Sequence, residues 1–296
     1  MRLARLDVDG QELVALIEDR SAIPVSEGGQ AALIEIAMRR ERPEPIGAPL
    51  SLDDVQLLAP IDRPPSIRDY MAFEAHARDS RPDRTVDPGW YESPIFYFTN
   101  PAVVRGPDDD VMPPRGTRCL DYELEAACVI GAECSNLDPE DPSTMDVIAG
   151  FTILNDWSAR DIQTNEMKQG IGPIKGKDFA TSIGPVLATL DEFEGIDKGR
   201  PKAHMQARVN GEAWSGGELS DIHFSWAELV AFASRDSRLV PGDVLGSGTV
   251  GTGCILELRT CGLRDTRKWL RAGDVVELEI DGIGVLRNTV VARPDA

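Results

Sequence analysis

Glu123 and Glu125 stand two apart in the segment Leu120-Asp121-Tyr122-Glu123-Leu124-Glu125, and Asp156 follows some thirty residues later, closing the apolar run 147–155. Side chains two apart on a strand point to one face, so the two glutamates are expected side by side. Like charges that close repel, and neither stays ionised in a partly buried site without compensation. A divalent cation is the simplest compensation. An all-oxygen donor set suits Mg²⁺, Mn²⁺ or Ca²⁺ rather than Zn²⁺. An ordinary half-exposed strand also carries Glu-x-Glu: Asp121 shares the parity, while Tyr122 and Leu124 take the other face. The third carboxylate, Asp156, is what tips the reading toward a metal.

Of the three histidines, His76, His204 and His223, only His76 has a setting that suits a general base. It lies near the end of an expected helix from Ile67 to about Ala77, with Ser66 as N-cap. On that helix Asp69 and His76 are two turns apart and share a face with Phe73. Residues 78–94 follow, rich in charge and proline and without period. A loop that long reads as a functional segment such as a lid, or as one that is simply mobile.

Two glycine-rich stretches tempt and fail. Gly246-Ser247-Gly248-Thr249-Val250-Gly251 matches the dinucleotide fingerprint in letters, but that motif must open a helix, and residues 253–260 read as a strand. Gly172-Pro173-Ile174-Lys175-Gly176-Lys177 is one residue short of a P-loop, and Asp178 stands where Ser or Thr belongs.

The elements that must position these residues are mostly extended. Residues 3–17 carry Asp9-Gly10 between two apolar runs, a hairpin signal. Residues 28–40 read as a helix with Ala32, Leu33, Ile36 and Ala37 on one stripe, and 41–50 as a proline-rich loop. Leu57–Ile61 is a short apolar run, and Pro64-Pro65 marks a linker. Segments 120–130, 147–155, 184–190, 203–209, 253–260 and 274–291 look like strands, and 158–167 and 225–233 like helices. The mix points to α+β with a dominant β core.

The 296 residues suffice for one large domain, or a large one with a small one attached. A formal charge of −19 argues against nucleic acid or an anionic membrane surface as partner. No apolar run is long enough to cross a bilayer. Five cysteines, an odd number without a C-x-x-C pair, suggest free thiols in a reducing compartment and no structural zinc. Acidic residues interrupt every apolar stretch near the N-terminus, so no signal peptide is expected and the cytoplasm is the expected location.

Asn155-Asp156-Trp157-Ser158-Ala159-Arg160-Asp161-Ile162-Gln163, followed by Gly172-Pro173 and Gly176-Lys177-Asp178-Phe179-Ala180-Thr181, resembles the fumarylacetoacetate hydrolase family. Asp121 to Glu125 fits the family upstream, and Gly248-Thr249 with Cys254-Ile255-Leu256-Glu257-Leu258 fits it downstream. The resemblance runs from about residue 66 to 290. Residues 1–60 look like the small N-terminal domain of longer bacterial members.

The resemblance implies a β-rich mixed-sheet roll (residues 63–296) preceded by a small α/β domain (residues 1–62), and a homodimer. It implies Glu123, Glu125 and Asp156 as ligands of Mg²⁺ or Mn²⁺, with Ca²⁺ as a further candidate. His76 matches the family's general base, and Glu257 the carboxylate that orients it. Arg160, Gln163 and Lys177 look like donors to substrate oxygens. Thr249 resembles a substrate contact, and Thr181 opens the strand after the lysine loop.

Two positions depart from the pattern. The family's cleaving members carry a fourth metal-binding aspartate before the histidine, where the alignment puts Ala72; Glu74, Asp69 or water would have to serve. They also carry a substrate-contacting tyrosine near the position of Met167. The implied substrate is a 1,3-dicarbonyl acid such as an acylpyruvate, cleaved at a carbon–carbon bond by water that His76 activates. Decarboxylation, hydration or isomerisation of a 2-oxo acid would use the same site, and a ligand-binding member without turnover is the non-enzymatic reading.

Overall fold

The computed structural model describes residues 1–262 and 268–294. A large mixed sheet runs, strand by strand, Leu50–Ser51, Ser21–Glu27, Gln11–Glu18, Arg2–Val8, Thr181–Ala188, Ile148–Asp156, Leu124–Ile130, Val244–Gly246, Ile67–Tyr70 and Phe96–Thr99. A second sheet is built from Glu212–Glu218, His204–Val209, Val275–Ile280, Gly284–Val290 and Asp110–Val111. Few helices accompany them, so the fold is the β-rich mixed-sheet α+β roll.

Local chemistry explains much of it. Asp9 and Gly10 both take positive φ, and the Gly10 N–H donates to Asp7 Oδ1, closing the first hairpin as a two-residue turn requires. The helix Gln30–Arg39 buries Leu33, Ile36 and Ala37 and packs against both Arg2–Val8 and Ile148–Asp156. Arg2–Val8 pairs with Thr181–Ala188, so those strands extend the large sheet. The helix Trp226–Ser234 begins with a reciprocal capping box between Ser225 and Glu228, a device usually contributing about 1 kcal/mol.

Three expectations change. The helix expected over 67–77 is instead the strand Ile67–Tyr70, a turn, and the helix Glu74–Asp79. Ile67, Arg68, Asp69 and Tyr70 are all buried between two neighbouring strands, so backbone pairing on both edges outweighs helical periodicity. Ser66 does not cap a helix; its hydroxyl donates to Asp243 Oδ1. The segment 120–130 is broken, with Tyr122 and Glu123 lying between Leu120–Asp121 and Leu124–Ile130.

The third change concerns residues 253–260, which contain the helix Ile255–Thr260 rather than a strand. Its first N–H groups, those of Ile255 and Leu256, donate to the Asp121 carboxylate at 2.7 and 3.0 Å. The capping residue is far away in sequence, so no local signal marks this helix. The strand expected over 253–260, which argued against a dinucleotide motif at 246–251, is therefore absent, and the case against the motif passes to the glycines themselves. These glycines serve close packing: Gly248 has φ +77°, and a side chain there would collide with the Tyr70 carbonyl.

Candidate active site

Four buried carboxylates converge at one end of the large sheet. Glu125 comes from Leu124–Ile130, Asp156 from the adjoining Ile148–Asp156, Asp69 from Ile67–Tyr70, and Glu123 from the break before Leu124. Oxygens of all four lie within 4.8 Å of one another. The short strand Val244–Gly246 separates the Glu125 and Asp69 strands, and it reaches them with a glycine. A Cβ on Gly246 would stand inside contact distance of Asp69 Oδ1 and 3.2 Å from Glu125 Oε2. The parity of Glu123 and Glu125 is kept despite the break, because the Glu123 N–H is held by Asn155 Oδ1 at 3.0 Å.

Charge is unevenly distributed. Arg160 donates through Nε to Asp121 Oδ2 at 2.8 Å and through Nη2 to Glu123 Oε1 at 2.7 Å. Lys177 Nζ lies 2.5 Å from Glu123 Oε2 and also donates to Asp156. Burial alone would push the Glu123 carboxyl up, but Lys177, Arg160 and His76 outweigh it and hold it well below the ordinary range. Asp69 and Glu125 have no such cation. Burial, and then the neighbouring carboxylates, push both well above the ordinary range. Burial also raises Asp156, against the pull of Lys177.

Asp69 Oδ1, Glu125 Oε2 and Asp156 Oδ1 are buried without a hydrogen-bond partner. Buried orphan oxygens in a cluster short of positive charge fit a divalent cation with oxygen ligands. Asp69, expected only as one of three substitutes, is therefore the fourth member. Glu74 is exposed and accepts from the Tyr91 hydroxyl instead, and Ala72 carries no donor.

His76, on Glu74–Asp79, and Glu257, on Ile255–Thr260, are both buried, with Nδ1 3.1 Å from Glu257 Oε2. Glu257 does not face solvent as its strand-like alternation allowed. Its Oε1 accepts from the Thr252 N–H at 3.1 Å, and its Oε2 from Cys254 Sγ at 3.3 Å. Burial lowers the His76 pKa and Glu257 raises it; the carboxylate prevails, so the imidazolium is favoured relative to a free histidine.

A cleft of about 450 Å³ is lined by Asp69, His76, Glu123, Glu125, Arg160, Gln163, Met167, Lys177 and Thr249. Asp156 and Glu257 sit behind its wall. Arg160 and Gln163, one turn apart on Arg160–Met167, are joined by a hydrogen bond of 3.1 Å. Thr249 donates to Glu125 Oε1 at 3.2 Å. Met167 is 54% exposed at the mouth. Thr181 is buried at the start of Thr181–Ala188.

Sequence reasoning passed over Tyr97, whose hydroxyl donates to Asp156 Oδ2 at 2.5 Å, and the partners of Asp121. The parity of Asp121 with the glutamates was its one visible signal. The segment 78–94 is pinned rather than free: Asp79 receives Arg78 and Arg84, and buried Trp90 donates to the Met71 carbonyl at 2.8 Å. His204 pairs with Glu218 at the surface, and His223 packs on Trp90, so neither reaches the cleft.

A carboxylate cluster with an adjacent histidine–glutamate pair, carried on a β-rich roll, has the make-up of an enzyme site. The chain belongs to the fumarylacetoacetate hydrolase family. Residues 66–291 match the model described as fumarylacetoacetate (FAA) hydrolase C-terminal, and residues 1–60 match the one described as Rv2993c-like, N-terminal. The oxaloacetate tautomerase YisK of Bacillus subtilis is 32% identical over 244 residues, covering 81% of this chain and 74% of that protein. The fumarylacetoacetate hydrolase of Exiguobacterium antarcticum superposes with a TM-score of 0.77 at 27% identity, over 99% of this chain and 100% of that one. The 5-carboxymethyl-2-hydroxymuconate delta-isomerase of Mycobacterium smegmatis gives 0.74 at 25% identity, over 99% and 100%. Relatives thus include a tautomerase, a hydrolase and an isomerase. No helix among the described residues is long and apolar enough to cross a membrane.

Proposed function

We propose that the chain is a metal-dependent hydrolase that cleaves a carbon–carbon bond in a 1,3-dicarbonyl acid, an acylpyruvate or a fumarylacetoacetate-like compound. The observation that carries this reading is the buried His76–Glu257 pair, 3.1 Å apart and beside the four carboxylates. Asp69, Glu123, Glu125 and Asp156 would hold Mg²⁺ or Mn²⁺, which supplies Lewis acidity and a template for two substrate oxygens. His76, oriented by Glu257, takes a proton from water. The resulting hydroxide attacks the distal carbonyl carbon. Arg160 and Gln163, with Lys177, meet the negative charge that develops on its oxygen, stabilisation often worth about 3–4 kcal/mol per donor. The carbon–carbon bond then breaks, its electron pair passing into the enolate of the departing 2-oxo acid.

A second reading keeps the site and moves a proton on carbon rather than on water, giving tautomerisation or isomerisation. The names of two relatives favour it. Incubating a panel of acylpyruvates with Mg²⁺ or Mn²⁺ in isotopically labelled water separates the two. Cleavage places solvent oxygen in the released acid. Enol–keto exchange without any acid would sink the hydrolytic reading. Two further proposals stand with it. Residues 1–62 form a small domain that braces the sheet and lends no residue to the cleft lining, which starts at Asp69. The chain is a homodimer, and large exposed apolar residues, Ile95 on the cleft lining and Phe98 and Ile171 outside it, support this.

A further inference from the structure

We propose that His76, Cys254 and Glu257 form a second metal site, selective for Zn²⁺, whose occupation stops the proton transfer that the site performs with Mg²⁺ bound. Candidate ligand atoms of the three residues all lie within 4.8 Å of one another. Cys254 Sγ is 3.3 Å and His76 Nδ1 3.1 Å from Glu257 Oε2. A tetrahedral zinc with Zn–S near 2.3 Å and Zn–N and Zn–O near 2.0 Å sets its sulfur–oxygen and nitrogen–oxygen separations at about 3.5 and 3.3 Å. The observed sulfur–oxygen and nitrogen–oxygen separations lie within a few tenths of an ångström of those values.

His76 Nδ1 and Cys254 Sγ both turn to the same carboxylate oxygen, Glu257 Oε2, so the three donor groups already converge on one point. The donors differ in kind from those next door. Thiolate, imidazole and carboxylate form the borderline set that zinc prefers, whereas four carboxylates suit a hard cation. Binding breaks the Cys254 S–H and His76 Nδ1–H bonds, forms Zn–S and Zn–N bonds and releases both protons to solvent, leaving a neutral imidazole protonated on Nε2 and no change of oxidation state. One thiolate and one carboxylate then neutralise the ion, so the filled site carries no net charge into a buried place. Thr252, donating to Glu257 Oε1, keeps the carboxylate in position, and His76 on the cleft lining gives the ion a way in.

The inhibitory consequence rests on the proposed role of His76; the site itself does not. The protein, saturated with Mg²⁺, is titrated with Co²⁺ as a visible substitute for zinc, without substrate. An intense thiolate-to-cobalt charge-transfer band in the near ultraviolet is expected, and Cys254→Ser should lose it. No band in the unaltered protein, or a band that survives Cys254→Ser, overturns the proposal. Should that variant fail to fold, zinc-edge X-ray absorption on the unaltered protein with one equivalent of Zn²⁺ decides: one sulfur ligand supports the site, and oxygen and nitrogen alone refute it. Zn²⁺ inhibition of turnover should weaken at least tenfold in Cys254→Ser. A cobalt band in a protein that cleaves no dicarbonyl acid would refute the proposed reaction and leave the zinc site standing.

Discussion

Gly246 and Asp69 are register partners on parallel strands, and the missing side chain of the first makes room for the carboxylate of the second. A methyl group there would press on Asp69 Oδ1 and close on Glu125 Oε2. Both flanking strands are buried and paired, so the backbone cannot retreat cheaply. Gly246→Ala should weaken divalent metal binding at least tenfold while the far-ultraviolet circular dichroism stays native. Isothermal titration with Mn²⁺ is the check, and unchanged affinity would refute the geometry.

Asp69 and Glu74 give opposite expectations. Asp69→Asn removes a charge from the buried cluster and should lower metal affinity by a factor of ten or more. Glu74→Gln touches only an exposed hydrogen bond to Tyr91 and should leave it within about twofold. The reverse order of effects would restore Glu74 as the fourth ligand.

Metal and pH should be linked in stability. The folded pKa values of Asp69 and Glu125 are raised. Between their ordinary range and the raised values, the folded state therefore holds more protons than the unfolded chain, and stability falls as pH rises through that window. A divalent ion replaces those protons. The Tm of chelator-treated protein should fall as pH is raised above the ordinary carboxylate range, and Mg²⁺ or Mn²⁺ at 100 times its Kd should restore about 2.7 kcal/mol. Scanning calorimetry at several pH values tests this, and a metal-induced shift that shrank with rising pH would contradict it.

The proposed general base has its own pH signature. Only neutral His76 accepts a proton, and Glu257 raises its pKa. The acidic limb of kcat/KM should therefore lie above the ordinary histidine value. Glu257→Gln withdraws the charge that stabilises the imidazolium, so the limb should move to lower pH, with a smaller loss of kcat than His76→Ala causes. For His76→Ala a loss of about 10²–10⁴ in kcat is expected, with metal affinity nearly intact. Near-normal kcat in that variant would remove His76 from the mechanism.

Substrate breadth should follow from Met167. A flexible, apolar, half-exposed side chain at the cleft mouth accepts varied shapes, whereas a hydrogen-bonding hydroxyl would reject substrates that leave it unpaired. Simple acylpyruvates should be cleaved at least as well as fumarylacetoacetate. A hundredfold preference for fumarylacetoacetate in kcat/KM, about 2.7 kcal/mol, would show that selectivity resides elsewhere.

Much of the site was legible in the chain. The alternation of Glu123 and Glu125, the carboxylate closing the run before Trp157, and the motifs around Arg160, Lys177 and Glu257 are local patterns, and local patterns report residue chemistry and strand parity. The hairpin at Asp9-Gly10 and the helix over 225–233 were legible for the same reason: their signals lie between neighbours in sequence.

Tertiary structure decided what depends on distant partners. Ile67–Tyr70 became a strand because Val244–Gly246 and Phe96–Thr99 pair with both its edges, and that turned Asp69 from a helical neighbour of His76 into a member of the carboxylate cluster. Ile255–Thr260 became a helix because Asp121 caps it from 134 residues away. That helix holds Glu257 in a buried pair with His76. Side-chain type is written at each position, but burial, charge balance and capping are sums over neighbours that only the folded chain brings together.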